Sequence, residues 1–412
     1  MKGIAYLQRK LDHKRSRGNL RYKYYEQKQT AKDLGISTPQ GLEWFSTVNG
    51  WCTKAVDNLA DRLQFDKFEN DNFEFTAMFS QNNPDILYDD IMLSSLITAC
   101  SFVYITRGGI NEATDTKKMR FQVIDGCNAT GEIDDFTKLL VEGYAVLERD
   151  KNGSVITYAY FTPGRTEVYT KGENEPIAVE TFNSRYCALV PIIYRPDTKR
   201  PFGHSRISRA CMDYAKSAMR TIKRSEISAE FYSFPQKYAT GLSQDSELLD
   251  SWQATMSAML TFTKDEDGEK PTLGQFQMAS FTPHLEQLKA IASMFAGETG
   301  LTLDDLGFVT SNPSSADAIK SAHEGLRLTC AKAQRCFSVG FLNVGYIGAC
   351  IRDNADYQRE ELFETKVIWK PMFEPDSSQI AGLADAVLKL NQAIDTGGYI
   401  DAERIRRLTG IE

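Results

Sequence analysis

Few residues in this sequence have the types and spacing that catalysis requires. The sequence contains no GxxxxGK(S/T) loop to cradle a phosphate, no GxGxxG turn after a strand, no HExxH zinc helix and no GxSxG nucleophile elbow. His204 stands beside Ser205, but neighbouring side chains on a helix point apart, so they form no nucleophile and base. The sequence therefore predicts a protein that is not an enzyme and needs no cofactor.

Acidic pairs and cysteines give only weak signals of a metal site. Asp89-Asp90 and Asp304-Asp305 could hold a cation, but the second pair falls where a turn between helices needs polar residues. The stretch KDEDGEK, residues 264–270, lacks the spacing and terminal glutamate of an EF-hand. The eight cysteines form no CxxC pair and no ligand spacing with the four histidines. We expect buried free thiols in a reducing compartment and no bound metal.

Charge is distributed unevenly along the chain. The net charge is −7, yet residues 1–32 contain ten Lys or Arg and two acids, so the remaining 380 residues carry −15. A protein that grips nucleic acid tightly is usually basic across its body. The acidic body disfavours sequence-specific DNA recognition. It suits a protein that lets DNA slide past, because few phosphate contacts would form.

The basic residues belong to an N-terminal arm, residues 1–43, in which tyrosines alternate with charges. The arm could dock on an acidic neighbour or on nucleic acid. Alternatively, it could be an exposed helix whose tyrosines contact the body, which we favour because runs of charge are usually solvated faces. No signal peptide is expected, since the first thirty residues contain no apolar core.

The most apolar segment, residues 336–351, carries no charge but is shorter than the ~20 residues of a membrane span. It continues a helix that carries several basic residues, so we expect a buried helix end. Gly340, Gly345 and Gly348 in this segment would let another backbone approach closely.

Strand patterns dominate residues 118–195, where apolar and polar residues alternate between turns. This pattern predicts an antiparallel sheet. Helices are expected within 44–63, before the strand-like FDKFEND at residues 65–71, and at 85–100. A later strand, KVIWKP, is expected to return to the sheet.

Two amphipathic helices bracket a small insert. The first, residues 204–229, has an apolar face made by Ile207, Cys211, Tyr214, Ala218 and Ile222. A basic stripe lies roughly opposite and consists of Arg209, Lys216, Arg220 and Lys223. The stripe could approach phosphates, pair with acids of a neighbouring copy, or be a solvated face.

The second helix, residues 284–296, would bury Leu285, Leu288, Ile291 and Phe295 and end at glycines. The insert between the two helices would contain two strands, a helical stretch at 245–260 and the polar turn 264–270.

A turn-rich loop, residues 307–312, precedes a helix of unusual length. Pro313 favours helix entry, Ser314 can cap the N-terminus, and Asp317 completes an approximate capping box. No proline follows before Arg352, so the helix would be on the order of 55 Å long. Two amphipathic helices, 377–390 and 401–408, would end the chain.

The order of these features resembles the portal proteins of tailed bacteriophages. The resemblance is carried by Thr299-Gly300, Leu306-Gly307, the run from Asn312 to Ile319, Glu324 and Leu326. It implies an α+β portal fold with a β-rich and helical wing, a two-helix stem around a small α/β clip, a channel loop, a long wing helix and a small C-terminal helical crown. The implied divisions are an arm at 1–43, wing 44–203, first stem helix 204–230, clip 231–282, second stem helix 283–300, channel-loop region 301–313, long helix and returning strand 314–376, and crown 377–412.

The resemblance also implies roles for particular residues. Small or uncharged residues of the channel loop would line the narrowest point of a DNA channel, namely Val309, Thr310, Ser311 and Asn312. The polar turn would form the clip tip and face a motor or adaptor, through Lys264, Asp265, Glu266, Asp267, Gly268, Glu269 and Lys270. The basic stripe would lie near DNA or between subunits.

The implied assembly is a homo-oligomeric ring of twelve subunits at one capsid vertex. Double-stranded DNA would pass through it non-specifically, driven by the terminase large subunit, and the head–tail adaptor would attach later. The major capsid and scaffold proteins would be further partners. The protein would reside in the virion, and in the host cytoplasm during assembly, without a membrane contact. Two alternatives stay open: a DNA-processing enzyme on a helical scaffold, and a virion scaffold or adaptor without a channel.

Overall fold

The computed structural model describes residues 2–32, 42, 44–111, 116–233, 237–240, 272–275, 280–308, 321–362, 364–372 and 377–393. The helices are α1 (Ile4–Tyr25), α2 (Trp51–Ala60), α3 (Phe75–Ser80), α4 (Pro84–Thr98), α5 (Arg209–Ser233), α6 (Thr282–Thr299), α7 (Glu324–Asp353) and α8 (Ser377–Ala393). The strands are β1 (Phe65–Glu69), β2 (Cys100–Asn111), β3 (Thr116–Asp125), β4 (Ala129–Ile133), β5 (Leu140–Arg149), β6 (Val155–Thr162), β7 (Arg165–Thr170), β8 (Ala178–Thr181), β9 (Leu189–Ile193), β10 (Lys237–Thr240), β11 (Thr272–Gln275) and β12 (Lys366–Trp369). The prediction of a mixed α+β chain is confirmed.

The strands from β3 to β9 are antiparallel, as predicted for residues 118–195, but they belong to two sheets, one of which also contains β2. β2 is the centre of a three-stranded sheet of order β3-β2-β9, in which Val103 lies opposite both Val123 and Val190. β4 to β8 form a five-stranded meander in sequence order. Alternation identifies the buried face of each strand but not its pairing partner, which is why the sequence predicted a single sheet.

The strand β12 pairs with β1 rather than with either larger sheet, so the prediction that it rejoins the main sheet is wrong. Phe65 of β1 lies opposite Trp369 of β12. The Phe65 ring also stacks on Tyr88 at 4.1 Å and meets Phe341 edge-on at 6.0 Å. The short two-stranded pair is therefore stabilised by an aromatic cluster that it shares with α4 and α7.

The helix α7 has 30 residues and is about 45 Å long. Its second half is buried, as predicted for residues 336–351. A turn at His323 precedes α7, so the helix is not continuous from Ser314 to Arg352, and residues 309–320 lie outside the described part of the chain. No helix within the described ranges is long and apolar enough to cross a bilayer.

The glycines of α7 lie against side chains, and at Gly340 also against another backbone. A Cβ at Gly340 would lie 2.7 Å from the side chain of Ile192 and 3.5 Å from its Cα, and one at Gly345 would lie 2.6 Å from the Phe75 ring. The expectation of a close backbone neighbour is thus met at Gly340, whereas Gly345 and Gly348 contact side chains. The notches let β9 and α3 pack against the helix at short range.

The helix α1 packs on the body, as favoured for the N-terminal arm. Leu7 and Leu11 are buried against Tyr144 and Val146 of the five-stranded sheet. The Glu142 carboxylate, 1% exposed, accepts the backbone N–H groups of Lys2 and Gly3, both at 2.7 Å. Burial opposes ionisation of Glu142, but these bonds and the Tyr160 hydroxyl outweigh it and lower its pKa.

The eight cysteines are free thiols, and all except Cys336 are buried. Burial raises the pKa of seven of these thiols, so the reactive thiolate is disfavoured.

Candidate functional site

The helices α5 and α6 pack against each other and bracket the two-stranded antiparallel pair of β10 and β11. On α6, Ile291 and Phe295 are buried as predicted. Leu285, which was expected to be buried, is 50% exposed. It lies in the first turn of α6, beyond the part of the helix that reaches the core. The helix pair therefore projects from the body, with its apolar contact concentrated near the base.

The base of the pair is fixed by a buried arginine that the sequence analysis did not single out. Arg206 is 6% exposed, and its guanidinium donates to the carbonyls of Ala55 in α2 and Thr299 at the end of α6. The last carbonyls of a helix lack partners and carry partial negative charge, so a cation is favourable there. Arg206 thereby joins α2, α5 and α6.

The start of α5 differs from the prediction by five residues, because Ser208 caps it. The Ser208 hydroxyl accepts the backbone N–H of Cys211 at 3.2 Å and donates to Glu298 of α6 at 2.7 Å. Serine is a preferred N-cap residue, which is the sequence signal that would have located this boundary. The residues before it make other contacts: the Ser205 hydroxyl donates to the Ile97 carbonyl at 2.6 Å.

The segment after α6 turns sharply towards α7. Gly300 ends α6 with a φ of 71°, and its N–H donates to the Ala296 carbonyl at 2.8 Å. Asp305 follows in a short 3-10 turn, where it accepts the Thr302 N–H at 2.8 Å and lies 3.9 Å from His323 Nδ1. The turn after α6 and the start of α7 therefore lie side by side.

The carboxylate of Asp305 is held in its ionised form. Burial opposes ionisation, but hydrogen bonds from the backbone and hydroxyl of Thr302, with the charge of His323, outweigh it and lower the pKa of Asp305. The acidic pair at 304–305 thus acts as a turn-forming element, which agrees with the structural role that the sequence suggested.

Three of the four residues of the predicted basic stripe are accessible on α5. Arg209 is exposed, while Lys216 and Arg220 are half-buried; Lys216 lies 3.6 Å from Asp213. Lys223 is only 8% exposed and so does not lie on an open stripe. Thr47 covers this part of α5, since its hydroxyl donates to the Met219 carbonyl at 2.7 Å. Helical spacing alone gives no sign of a segment that packs over the helix from elsewhere in the chain.

The remaining predicted site residues lie outside the described residues. They are the channel-loop residues Val309, Thr310, Ser311 and Asn312, and the whole clip tip from Lys264 to Lys270. The expected helices at 245–260 and 401–408 also lie outside them.

The candidate chemical groups do not come together within the described ranges. His204 Nε2 lies 2.6 Å from Asp197 in an exposed loop, whereas Ser205 is buried and bonded to main-chain carbonyls. No group of three or more metal-binding side chains occurs in the part of the chain that the structure describes.

The sequence is similar to two curated proteins along nearly its whole length. The portal protein of Mycobacterium phage L5 is 23% identical over 401 residues, which cover 93% of this chain and 80% of that protein. The portal protein of Mycobacterium phage D29 is 22% identical over 404 residues, which cover 94% of this chain and 81% of that protein. No model of a known protein family matches the sequence.

Two solved structures are similar to the chain at a low level. A chain in the neck of a native gene transfer agent particle, computed with C12 symmetry, aligns with a TM-score of 0.49 and 14% identity, covering 88% of this chain and 90% of that one. A chain in the virion of a native gene transfer agent particle aligns with a TM-score of 0.44 and 13% identity over the same shares. Similarity at this level is too low to support an inference. The resemblance to phage portal proteins is confirmed by the two curated relatives, to which this chain is similar over more than nine-tenths of its length.

Proposed function

We propose that this chain is the subunit of a phage portal, the connector at one vertex of the virion head. The observation that carries the proposal is the match to two curated portal proteins over 93% and 94% of the chain. Portal proteins are structural, so we propose no catalytic activity. A separate terminase motor would supply the energy for packaging.

The subunits would form a ring of twelve around a DNA channel, because a closed ring turns one projecting loop into a constriction. The loop would be the segment from Val309 to Asn312. The 3.9 Å separation of Asp305 and His323 Nδ1 supports this assignment, since these two residues flank the segment and lie close together. Small and uncharged residues there would touch the passing duplex weakly and without regard to sequence.

The projecting pair of α5 and α6 would be the stem, and the insert between them the clip. The accessible cations Arg209, Lys216 and Arg220 would face DNA or a neighbouring subunit. The polar turn 264–270 would meet the terminase during packaging and the head–tail adaptor later. Major capsid and scaffold proteins would surround the body in the assembling particle.

Electron microscopy of the purified full-length protein tests this proposal directly. We expect two-dimensional averages of rings with an axial hole, and a mass in native mass spectrometry that is a multiple of the 46.4 kDa chain. Particles without a hole would favour a scaffold or adaptor, and a monomer across all concentrations would contradict the portal assignment.

A further inference from the structure

The helix α1 carries a ridge of four basic side chains on one flank. Lys10, Lys14, Arg17 and Arg21 recur at intervals of four, three and four residues, which places them along one side of the helix. Arg200, in the loop after β9, lies close enough to Arg21 to repel it. We call these five residues the basic ridge.

The basic ridge is only partly neutralised within the described chain. Lys10 Nζ donates to Glu132 at 2.6 Å, but Glu132 also binds Lys2. No carboxylate lies within ion-pair distance of Lys14, Arg17 or Arg21 among the described residues. Lys14 Nζ is buried without a hydrogen-bond partner and sits 3.8 Å from the centroid of the Phe202 ring. Burial, together with the charges of Lys10 and Arg17, lowers the pKa of Lys14.

A second patch of the opposite sign lies beyond the C-terminal end of α1. It is an open cavity of about 640 Å³ between α2, α4 and β1. The carboxylates that line it are Asp57, Asp61, Asp85, Asp89 and Asp90, and Lys370 is the one basic residue among the described residues of its lining. We call the five aspartates the acidic rim. The four of them other than Asp57 are exposed, and no basic side chain of the described residues lies within ion-pair distance of any of the five. Burial and the neighbouring charges of Asp85, Asp90 and Asp61 raise the pKa of Asp89.

The two patches adjoin along α1 on one subunit. Arg21 Nη1 reaches the Thr98 carbonyl at the C-terminal end of α4, at 3.4 Å. Tyr25, one turn further along α1, donates to Asp57 beside the cavity at 2.9 Å. Each patch contains like charges that repel one another, and among the described residues no ion pair joins the basic ridge to the acidic rim. Bringing the two patches together would relieve both repulsions.

We propose that the basic ridge of one copy docks against the acidic rim of a neighbouring copy. This inference rests on the proposed ring, whose subunit contact it identifies. In a ring this contact would repeat head-to-tail, with the basic ridge of each copy on the acidic rim of the next, and such contacts close when the rotation between copies is right. The occupant is a second copy of this chain because its charge complements the ridge: residues 1–32 carry +8 and the rest of the chain −15. Complementary charge would select the correct register and speed the encounter of subunits.

Two charge-reversed chains and their mixture test the docking. The ridge variant carries Arg17→Glu and Arg200→Glu, and the rim variant carries Asp85→Lys and Asp89→Lys; all four positions are exposed. We expect each variant alone to need a protein concentration about tenfold or more above wild type to assemble, because the two substituted side chains then repel the facing patch and its net attraction falls. An equimolar mixture should assemble again, since the substituted positions of one variant then face the substituted positions of the other, which carry the opposite charge. Native mass spectrometry distinguishes the mixed rings by mass.

A matched control carries Lys151→Glu and Lys171→Glu, which change the net charge as the ridge variant does but at exposed turns of the five-stranded sheet. This control should assemble like wild type. Thermal unfolding of each variant verifies that the subunit is folded, and recovery in the mixture verifies it independently.

Four results would overturn the docking. Rings that form from the ridge variant and from the rim variant as readily as from wild type would reject this contact and leave the portal proposal intact. Variants that fail to assemble both alone and mixed would reject it as well. Loss of binding to a short DNA duplex by the ridge variant, with assembly unchanged, would assign the ridge to nucleic acid instead. A wild-type chain that stays monomeric at low salt would reject the ring together with the docking.

Discussion

Arg206 shows how a single buried cation can fix the orientation of a projecting helix pair. Its guanidinium has two carbonyl acceptors on two different helices, and one of them belongs to the last turn of α6. A hydrophobic residue of similar length could fill the space but would leave those carbonyls without donors. The arginine therefore fixes the orientation of the helix pair as well as stabilising the fold.

Arg206→Ala should reduce the free energy of unfolding by about 2–4 kcal/mol, because it leaves a buried cavity and unpaired carbonyls. Urea unfolding followed by circular dichroism measures the loss. Arg209→Ala, three residues along in α5 and exposed, is the matched control and should change stability by less than about 0.5 kcal/mol. Equal effects of the two substitutions would show that the buried contacts do not matter.

Asp305 predicts a pH dependence with a definite sign. Its pKa is lower in the folded chain than in an unfolded one, so its ionised form stabilises the fold above the unfolded pKa of about 4. This stabilisation is lost as the pH falls through the lower, folded pKa. Asp305→Asn should therefore be less stable than wild type by about 1.5–3 kcal/mol at pH 7, with the difference shrinking below pH 4. Unfolding free energies measured from pH 7 to pH 3 check this; a difference that stays constant with pH would contradict it.

At the scale of elements, local signals predicted what each segment is, and long-range packing decided how segments meet. The alternation in 118–195 predicted antiparallel strands correctly, but strand partners such as β1 and β12 are nearly 300 residues apart and leave no local mark. The spacing on α5 identified buried Cys211 and Ala218, yet it missed the burial of Lys223, which depends on the distant segment around Thr47. Arg206 was missed for the same reason, because its carbonyl acceptors are supplied by α2 and α6.

The glycines of α7 give a paired test of packing at the scale of one helix. Gly345→Ala should destabilise the protein by about 1–3 kcal/mol, since its Cβ would lie 2.6 Å from the Phe75 ring. Gly325→Ala in the same helix meets nothing within 4 Å and should stabilise it by about 0.5–1 kcal/mol, because alanine favours helix. Thermal unfolding of both variants measures the contrast. If the two substitutions changed the stability in the same direction, α7 would not be packed as described.

At the scale of the whole molecule, the proposed function comes from the resemblance to portal proteins rather than from any single residue. The order of stem-like helices, loop and long helix suggested a portal, and the two curated relatives extend the similarity over nearly all of the chain. The proposed docking of the basic ridge on the acidic rim could not be predicted from the sequence, because the two patches form only when α1, α2 and α4 are brought together.

The assignment of residues 309–312 to the channel is tested by adding bulk there. Ser311→Trp should reduce DNA packaging by at least about tenfold while leaving ring formation intact, because a large side chain repeated around the ring would narrow the passage. Packaged DNA is measured by nuclease protection, and rings by electron microscopy. Asn152→Trp, in an exposed turn of the five-stranded sheet, is the control. Unchanged packaging by the Ser311 variant would remove this segment from the channel.

The burial of the native cysteine thiols has a practical consequence for mapping the contacts between subunits. With seven native thiols buried and disfavoured as thiolates, a maleimide or an oxidant should react slowly with the native chain, chiefly at Cys336. Pairs of introduced surface cysteines, one on each side of a proposed subunit contact, can then be cross-linked without first substituting the native cysteines. Each pair of positions that forms a cross-link would give an upper limit on the distance between those residues in adjacent copies of the assembled particle.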